Sequence, residues 1–296
     1  MYEQMESGLV IPTPVIFGER IKLVTSTTDY GNMAFPYGNP EEVIKNRRMF
    51  TNDVGIDLTD AVWMRPSHGV ASHFVSVSDR SRGAFSSEQA ILNVDILLTQ
   101  KDNRLTAQPA LAVNPADCPI MTVVDKNAEI LGIAHSGRKG IELGVATEML
   151  MQVVARGYLP ETWLLNIGPG ICNSCYRMPH LDTKDPMLWE GFAKTEDGSD
   201  FDIEYAFDNT GRRKISDGIP MLRLFPQNRA EMLQLDMVGL LYKSLSSFRL
   251  APEQIEMTNL CTYEEAKKRR LYSHYLSSQQ KKEFPESRYT TIAQLN

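Results

Sequence analysis

The chain has 296 residues, 42% hydrophobic and 23% charged, with a formal net charge of −6. That length and balance permit a large buried core in a mixed α/β domain, while the acidic balance argues against nucleic acid or an acidic membrane surface as a partner. Four cysteines are too few for a disulfide scaffold, no apolar run approaches the ~18 residues of a membrane span, and Met1–Val10 does not read as a signal peptide, so the expected setting is cytoplasmic.

The first clear element is a helix opening at Asn39. Asn39 is a capping residue, Pro40 suits the first helical position, and Glu42 sits where a capping box wants an acid. At about 100° per residue, Val43, Ile44 and Phe50 share one face. Arg47 falls between them and should point toward the core, with Arg48 nearer the edge. Ala61–Met64 and Phe74–Val77 read as short strands. Stronger strand signals follow at Ala110–Asn114, Ile120–Asp125 and Glu129–His135, the last two joined by a tight turn through Lys126 and Asn127. A helix is expected over about 140–156, with Ile141, Val145, Met149 and Val153 as its apolar stripe and Gly157 as its stop. Thr162–Ile167 is a buried-type strand. Residues 182–228 are polar and turn-rich and read as an insertion within one domain spanning 1–296. A helix over Ala230–Phe248 and a strand over Gln254–Leu260 complete the expected elements. There is no internal repeat.

The turn at Lys126-Asn127 sets a register. With those two as loop residues, Asp125 faces Ala128 and Cys118 faces His135, Cβ atoms roughly 5 Å apart. Such a pair suits a shared metal or a Cys–His nucleophile. His68 is the remaining candidate ligand, in Ser67-His68-Gly69, where glycine allows a tight turn. One Cys and two His leave a fourth tetrahedral position open, the catalytic pattern for zinc. Spacing alone leaves a third reading open, a buried cysteine beside hydrogen-bonded histidines. Cys172-Asn173-Ser174-Cys175 is a lone CxxC without a second pair and is given no role, as is His73. His274 and the basic run Lys267–Arg270 read as surface features.

Several segments, taken in order, narrow these choices. Asn46-Arg47-Arg48, Asp95-Ile96-Leu97-Leu98-Thr99, Asn114-Pro115-Ala116-Asp117-Cys118-Pro119 and His135-Ser136-Gly137-Arg138-Lys139-Gly140 resemble the laccase-domain (YfiH-like) family. So do Gly168-Pro169-Gly170-Ile171 through Cys175-Tyr176, and Cys261-Thr262. The family is known variously as polyphenol oxidase and as purine nucleoside phosphorylase. The resemblance covers roughly residues 40–290 and implies a mixed β-core flanked by helices, a layered sandwich of the α+β type. It also implies one zinc ion at His68, Cys118 and His135, and phosphorolysis or deamination of adenosine-type nucleosides with phosphate as co-substrate. Arg47 matches an active-site arginine, consistent with a core-facing guanidinium that wants an anion; Asp117 joins it as a candidate catalytic residue. Arg138 and Lys139 stand where the family has Trp and Arg and become candidate substrate-binding residues. Tyr272-Ser273-His274-Tyr275 replaces the family's Phe-Ser-Tyr-Arg, and Pro66 replaces a glutamine. The metal ligands therefore follow the pattern while the substrate wall departs from it. Two other functions stay open: a Cys–His hydrolase with Cys118 as nucleophile, and a metal-binding member without turnover. A multicopper relay is disfavoured, because five histidines cannot furnish several copper centres.

Overall fold

The computed structural model describes residues 2–178, 186–189, 192–194 and 233–296. Among them the strands form three sheets. The first runs in the order β1 (Glu3–Gln4), β2 (Leu9–Ile11), β3 (Ile21–Ser26), β16 (Thr291–Leu295), β8 (Ala110–Val113), β4 (Ala61–Arg65), β6 (Ile91–Leu92). The second runs β15 (Ile255–Met257), β11 (Trp163–Ile167), β9 (Ile120–Asp125), β10 (Ile130–His135), β7 (Ile96–Gln100), β5 (Ser72–Phe74). A small third sheet pairs β12 (Arg177–Met178), β14 (Leu233–Leu235) and β13 (Ala193–Lys194). Both large sheets mix parallel and antiparallel neighbours, as in β4 with β8 and β9 with β10.

The two-residue period of each strand sorts its side chains into layers. Val62, Met64, Leu111 and Val113 of the first sheet meet Leu97, Val124, Leu131 and Ile133 of the second in one core between the sheets. Ala61, Trp63, Ala110 and Ala112 turn the other way, toward Phe50 of helix α1 (Pro40–Asp53). Ile96, Leu98, Met121, Val123 and Ala134 face helices α2 (Arg138–Glu142), α3 (Val145–Val154) and α4 (Met237–Ser244). The result is the expected mixed β-core flanked by helices. Each Val, Leu, Ile, Met or Phe side chain among them, fully buried, contributes about 1.5–3 kcal/mol. No helix among the described residues is long and apolar enough to cross a membrane.

Several local expectations need correction. The hairpin register is displaced by two residues, since His135 pairs with Ile120 and not with Cys118. The cause is Asp125, whose carboxylate accepts the N–H groups of Asn127, Glu129 and Ile130 and stretches the turn into a longer loop. A displacement of two keeps every side chain on its own face, so Cys118 still reaches His135 along the diagonal. The helix expected over 140–156 is broken at Gly144, whose φ of +83° suits glycine. The strand expected at Phe74–Val77 lies earlier, at Ser72–Phe74. The expected start of the Ala230–Phe248 helix lies partly outside the described residues, and Leu233–Leu235 is strand, not helix. The expected insertion at 182–228 falls almost wholly outside the described residues.

Candidate metal centre

Three side chains converge where the ends of the two large sheets meet. His68 stands in the loop after β4, Cys118 in the loop between β8 and β9, and His135 at the end of β10. Their donor atoms lie within 4.8 Å of one another, and the two imidazoles meet edge to face, centroids 5.0 Å apart at 83°. Gly137 closes against all three: a Cβ there would lie 2.9 Å from His68 Cδ2, 3.2 Å from Cys118 Sγ and 3.3 Å from His135 Cε1. Any larger residue would fill this cradle.

Asp95 holds the group from behind. Its Oδ1 is 3.0 Å from His135 Nδ1 and accepts the N–H of His68 at 3.0 Å, while Oδ2 accepts the N–H of Gly69 at 2.8 Å and both donors of Ser67. Occupying Nδ1 leaves His135 Nε2 for a ligand, the arrangement by which an outer carboxylate fixes a metal-binding imidazole. The same bonds steady His68, which itself takes the left-handed backbone at φ 63°; the turn expected at Gly69 is made by the histidine. Burial alone would raise the Asp95 carboxyl, but the bonds from His135, Gly69 and Ser67 outweigh it and hold it down at about 2. In the sequence Asp95 stands out only as part of a motif, because nothing local marks a carboxylate at a strand's start as a hub.

Charge favours the deprotonated sulfur. Burial pushes the Cys118 thiol up, yet the charge of His135 and hydrogen bonds from His135 and His68 bring it down to about 6. Burial in turn lowers His135, but Cys118 and Asp95 raise it to about 9. One thiolate and two imidazoles, one of them backed by a carboxylate, fit a zinc-type ion with a position left open. Replacing Asp95→Asn should weaken zinc binding about 10- to 100-fold, because an amide cannot accept all the donors the carboxylate now serves. Competition against a zinc-chelating dye measures this, and unchanged affinity would remove Asp95 from the scheme.

The site opens into a cavity of about 460 Å³, lined among others by Phe35, Tyr37, Arg47, Trp63, Asn114, His274 and Arg288 as well as the three donors. That volume lies within the range of small-molecule sites. Arg47 is only 2% exposed. Its guanidinium stacks over Trp63 at 4.2 Å and Phe35 at 4.5 Å. Nε donates to Met33 O, and Nη1 to Gly83 O and Ala84 O. No carboxylate pairs with it among the described residues, and burial lowers its pKa. At the rim Arg288 lies over the Tyr37 ring at 4.3 Å and donates to its hydroxyl. The aromatic and Arg288 contributions were not legible in sequence, since these residues are scattered along the chain and carry no spacing signal.

The remaining expected residues fall elsewhere. Asp117 is not among the cavity-lining residues; its carboxylate accepts Thr262 Oγ1 and the N–H of Tyr275, both at 2.6 Å. Arg138 bonds Glu142 at 2.6 Å, and Lys139 is exposed on the same short helix; neither lines the cavity. His73 pairs with Asp79, away from the donor group. His274, read as surface, bonds Glu286 and also lines the cavity, with its side chain 60% exposed. Of the basic run, Lys267, Lys268 and Arg270 pair with Glu264 and Glu265, and Arg269 lies over the Phe284 ring.

A family model for multi-copper polyphenol oxidoreductase laccase matches residues 17–282. A purine nucleoside phosphorylase from Streptomyces griseus is 32% identical over 159 residues, covering 50% of this chain and 60% of that protein. An adenosine deaminase from an unknown prokaryotic organism is 26% identical over 136 residues, covering 46% of this chain and 50% of that one. The chain spans about 60% of the length of the first of these curated relatives. The crystal structure of YlmD from Geobacillus stearothermophilus superposes with a TM-score of 0.71 at 21% identity, covering 100% of this chain and 98% of that one, and so shares its fold.

Proposed function

This chain belongs to the multi-copper polyphenol oxidoreductase laccase family, and from that premise we propose that it is a single-domain, zinc-dependent purine nucleoside enzyme. The observation that carries the reading is the His68–Cys118–His135 group at one wall of a cavity of ligand size. Relatives named purine nucleoside phosphorylase and adenosine deaminase support the substrate class. In this reading His68, Cys118 and His135 hold the ion, whose Lewis acidity serves the bound nucleoside. Asp95 fixes His135 by occupying Nδ1. Arg47 receives the phosphate co-substrate, and its stack between Phe35 and Trp63 fixes the plane of the guanidinium. Asp117 acts as a positioning residue, tying the turn before Cys118 to Thr262 and Tyr275. Arg138 and Lys139, on the short helix that follows Gly137, remain proposed substrate contacts beyond the cavity lining itself.

A second reading has its own support. Asp95, His135 and Cys118 form a carboxylate–imidazole–thiol series, the arrangement of a Cys–His nucleophile. Incubating zinc-loaded protein with adenosine, inosine and methylthioadenosine, with and without phosphate, tests the first reading. Free base released only with phosphate, or inosine formed from adenosine, is the expected result. No turnover of any of the three by protein of full zinc content would leave a binding protein instead.

A further inference from the structure

The CxxC that the sequence leaves without a partner acquires one in the fold. Cys172 to Cys175 forms a tight turn, in which Cys172 O accepts the N–H of Cys175 at 3.1 Å and of Tyr176 at 2.9 Å. Cys261 arrives from the far end of the chain and is fixed beside it by backbone bonding. Gly170 and Cys261 form a parallel bridge, the N–H of Gly170 donates to Leu260 O, and the N–H of Thr262 donates to Gly170 O. The three sulfurs lie within 4.8 Å of one another.

We propose that Cys172, Cys175 and Cys261 form a second metal site, a structural thiolate site for a zinc-type cation, independent of the reading of the first. Zinc–sulfur bonds of about 2.3 Å place tetrahedral sulfurs roughly 3.8 Å apart, so these three sulfurs, already within 4.8 Å of one another, need draw together by only about 1 Å at most to close on an ion. Cys172 N–H already points at Cys261 Sγ, 3.4 Å away, a bond that stabilises a thiolate ligand. Cys175 Sγ donates to Glu264 Oε1 at 3.3 Å, at the edge of the cluster. Three sulfurs make a soft donor set, whereas a disulfide would use two of them and strand the third.

The site's place in the fold gives it a task. Ile171, next to Cys172, donates its N–H to Asp117 O at 2.9 Å. Thr262, next to Cys261, bonds the Asp117 carboxylate. A cation joining Cys172 and Cys261 therefore steadies the two segments that hold Asp117, which takes a φ of 80° immediately before Cys118.

The test uses the full chain stripped of metal and titrated with cobalt(II). Cys118→Ser removes the thiolate of the first site but keeps all three of the second. This variant should still bind one cobalt per chain, with an intense thiolate-to-cobalt charge-transfer band. In unsubstituted protein, zinc should slow alkylation of Cys172, Cys175 and Cys261 together, each quantified by peptide mapping separately from Cys118. Absence of the charge-transfer band from folded Cys118→Ser protein would overturn the proposal. So would zinc leaving the alkylation of these three cysteines unchanged, or a disulfide between any two of them in freshly quenched protein.

Discussion

Cys118→Ser is expected to strip the first site of zinc and to abolish nucleoside turnover, whereas His68→Ala should expose Cys118 to thiol reagents while leaving the sulfur in place. The first loss should exceed the roughly 10- to 100-fold cost of removing an outer hydrogen-bond partner, because sulfur is the anionic donor of the three. Iodoacetamide then separates metal chemistry from nucleophilic chemistry at the same atoms. A coordinated thiolate is labelled slowly until a chelator removes the ion, and quickly in His68→Ala without any chelator. The metal-free protein adds a pH signature. With the Cys118 thiol drawn down to about 6, the thiolate is already the major form at neutral pH. An ordinary thiol at about 8.5 is still mostly protonated there. Rapid labelling of untreated protein, indifferent both to chelator and to His68→Ala, would sink the metal reading in favour of the hydrolase.

Much of the donor group was legible because its parts carry local signals. Cys118 and His135 flank two strongly apolar strands joined by a turn, and even a register wrong by two leaves the pair within reach, because strand faces repeat every two residues. The core-facing position of Arg47 followed from helix geometry and is realised, with the side chain 2% exposed. What the sequence could not supply was the set of contacts made across the fold. Asp95 bonds His68 in the loop after β4 and His135 at the end of β10. Cys261 meets Cys172 only because the segment after β11 bridges to the start of helix α5 (Thr262–Lys267).

The terminal strands β3 and β16 illustrate a second limit. They pair with each other inside the first sheet and are wholly or largely buried. Each is short, however, and mixes apolar with polar residues: Thr25 and Thr291 bond one another across the pair. Their stability comes from partners at opposite ends of the chain, so neither announces itself alone. The positions of Arg138 and Lys139 show a further limit. They stand inside a recognisable motif, but the short helix α2 carries their side chains off the cavity lining, Arg138 toward Glu142 and Lys139 toward solvent.

Arg47 is where fold and function are hardest to separate, and a single truncation will not do it. Arg47→Ala removes a stacked guanidinium and leaves the carbonyls of Gly83 and Ala84 without its donors, while Met33 O keeps only Asn114 Nδ2. Each orphaned acceptor costs about 1–3 kcal/mol, so this variant should be badly destabilised whether or not phosphate binds there. Arg47→Lys retains a cation and part of the stem packing but loses the planar fork. If Arg47 receives phosphate, Arg47→Lys should lower kcat/KM for phosphate about 10- to 100-fold, as expected for losing a charge-assisted bond of about 1.5–3 kcal/mol. Zinc content should stay the same. Conversion of adenosine to inosine, which consumes water and not phosphate, should change far less in the same preparation. The absence of a carboxylate partner around Arg47 among the described residues is what makes the expectation specific, since an anion entering the cavity is then the counter-charge the buried guanidinium lacks. Equal losses in the phosphate-dependent and water-dependent reactions, or a KM for phosphate unmoved in folded Arg47→Lys, would return Arg47 to a purely structural role.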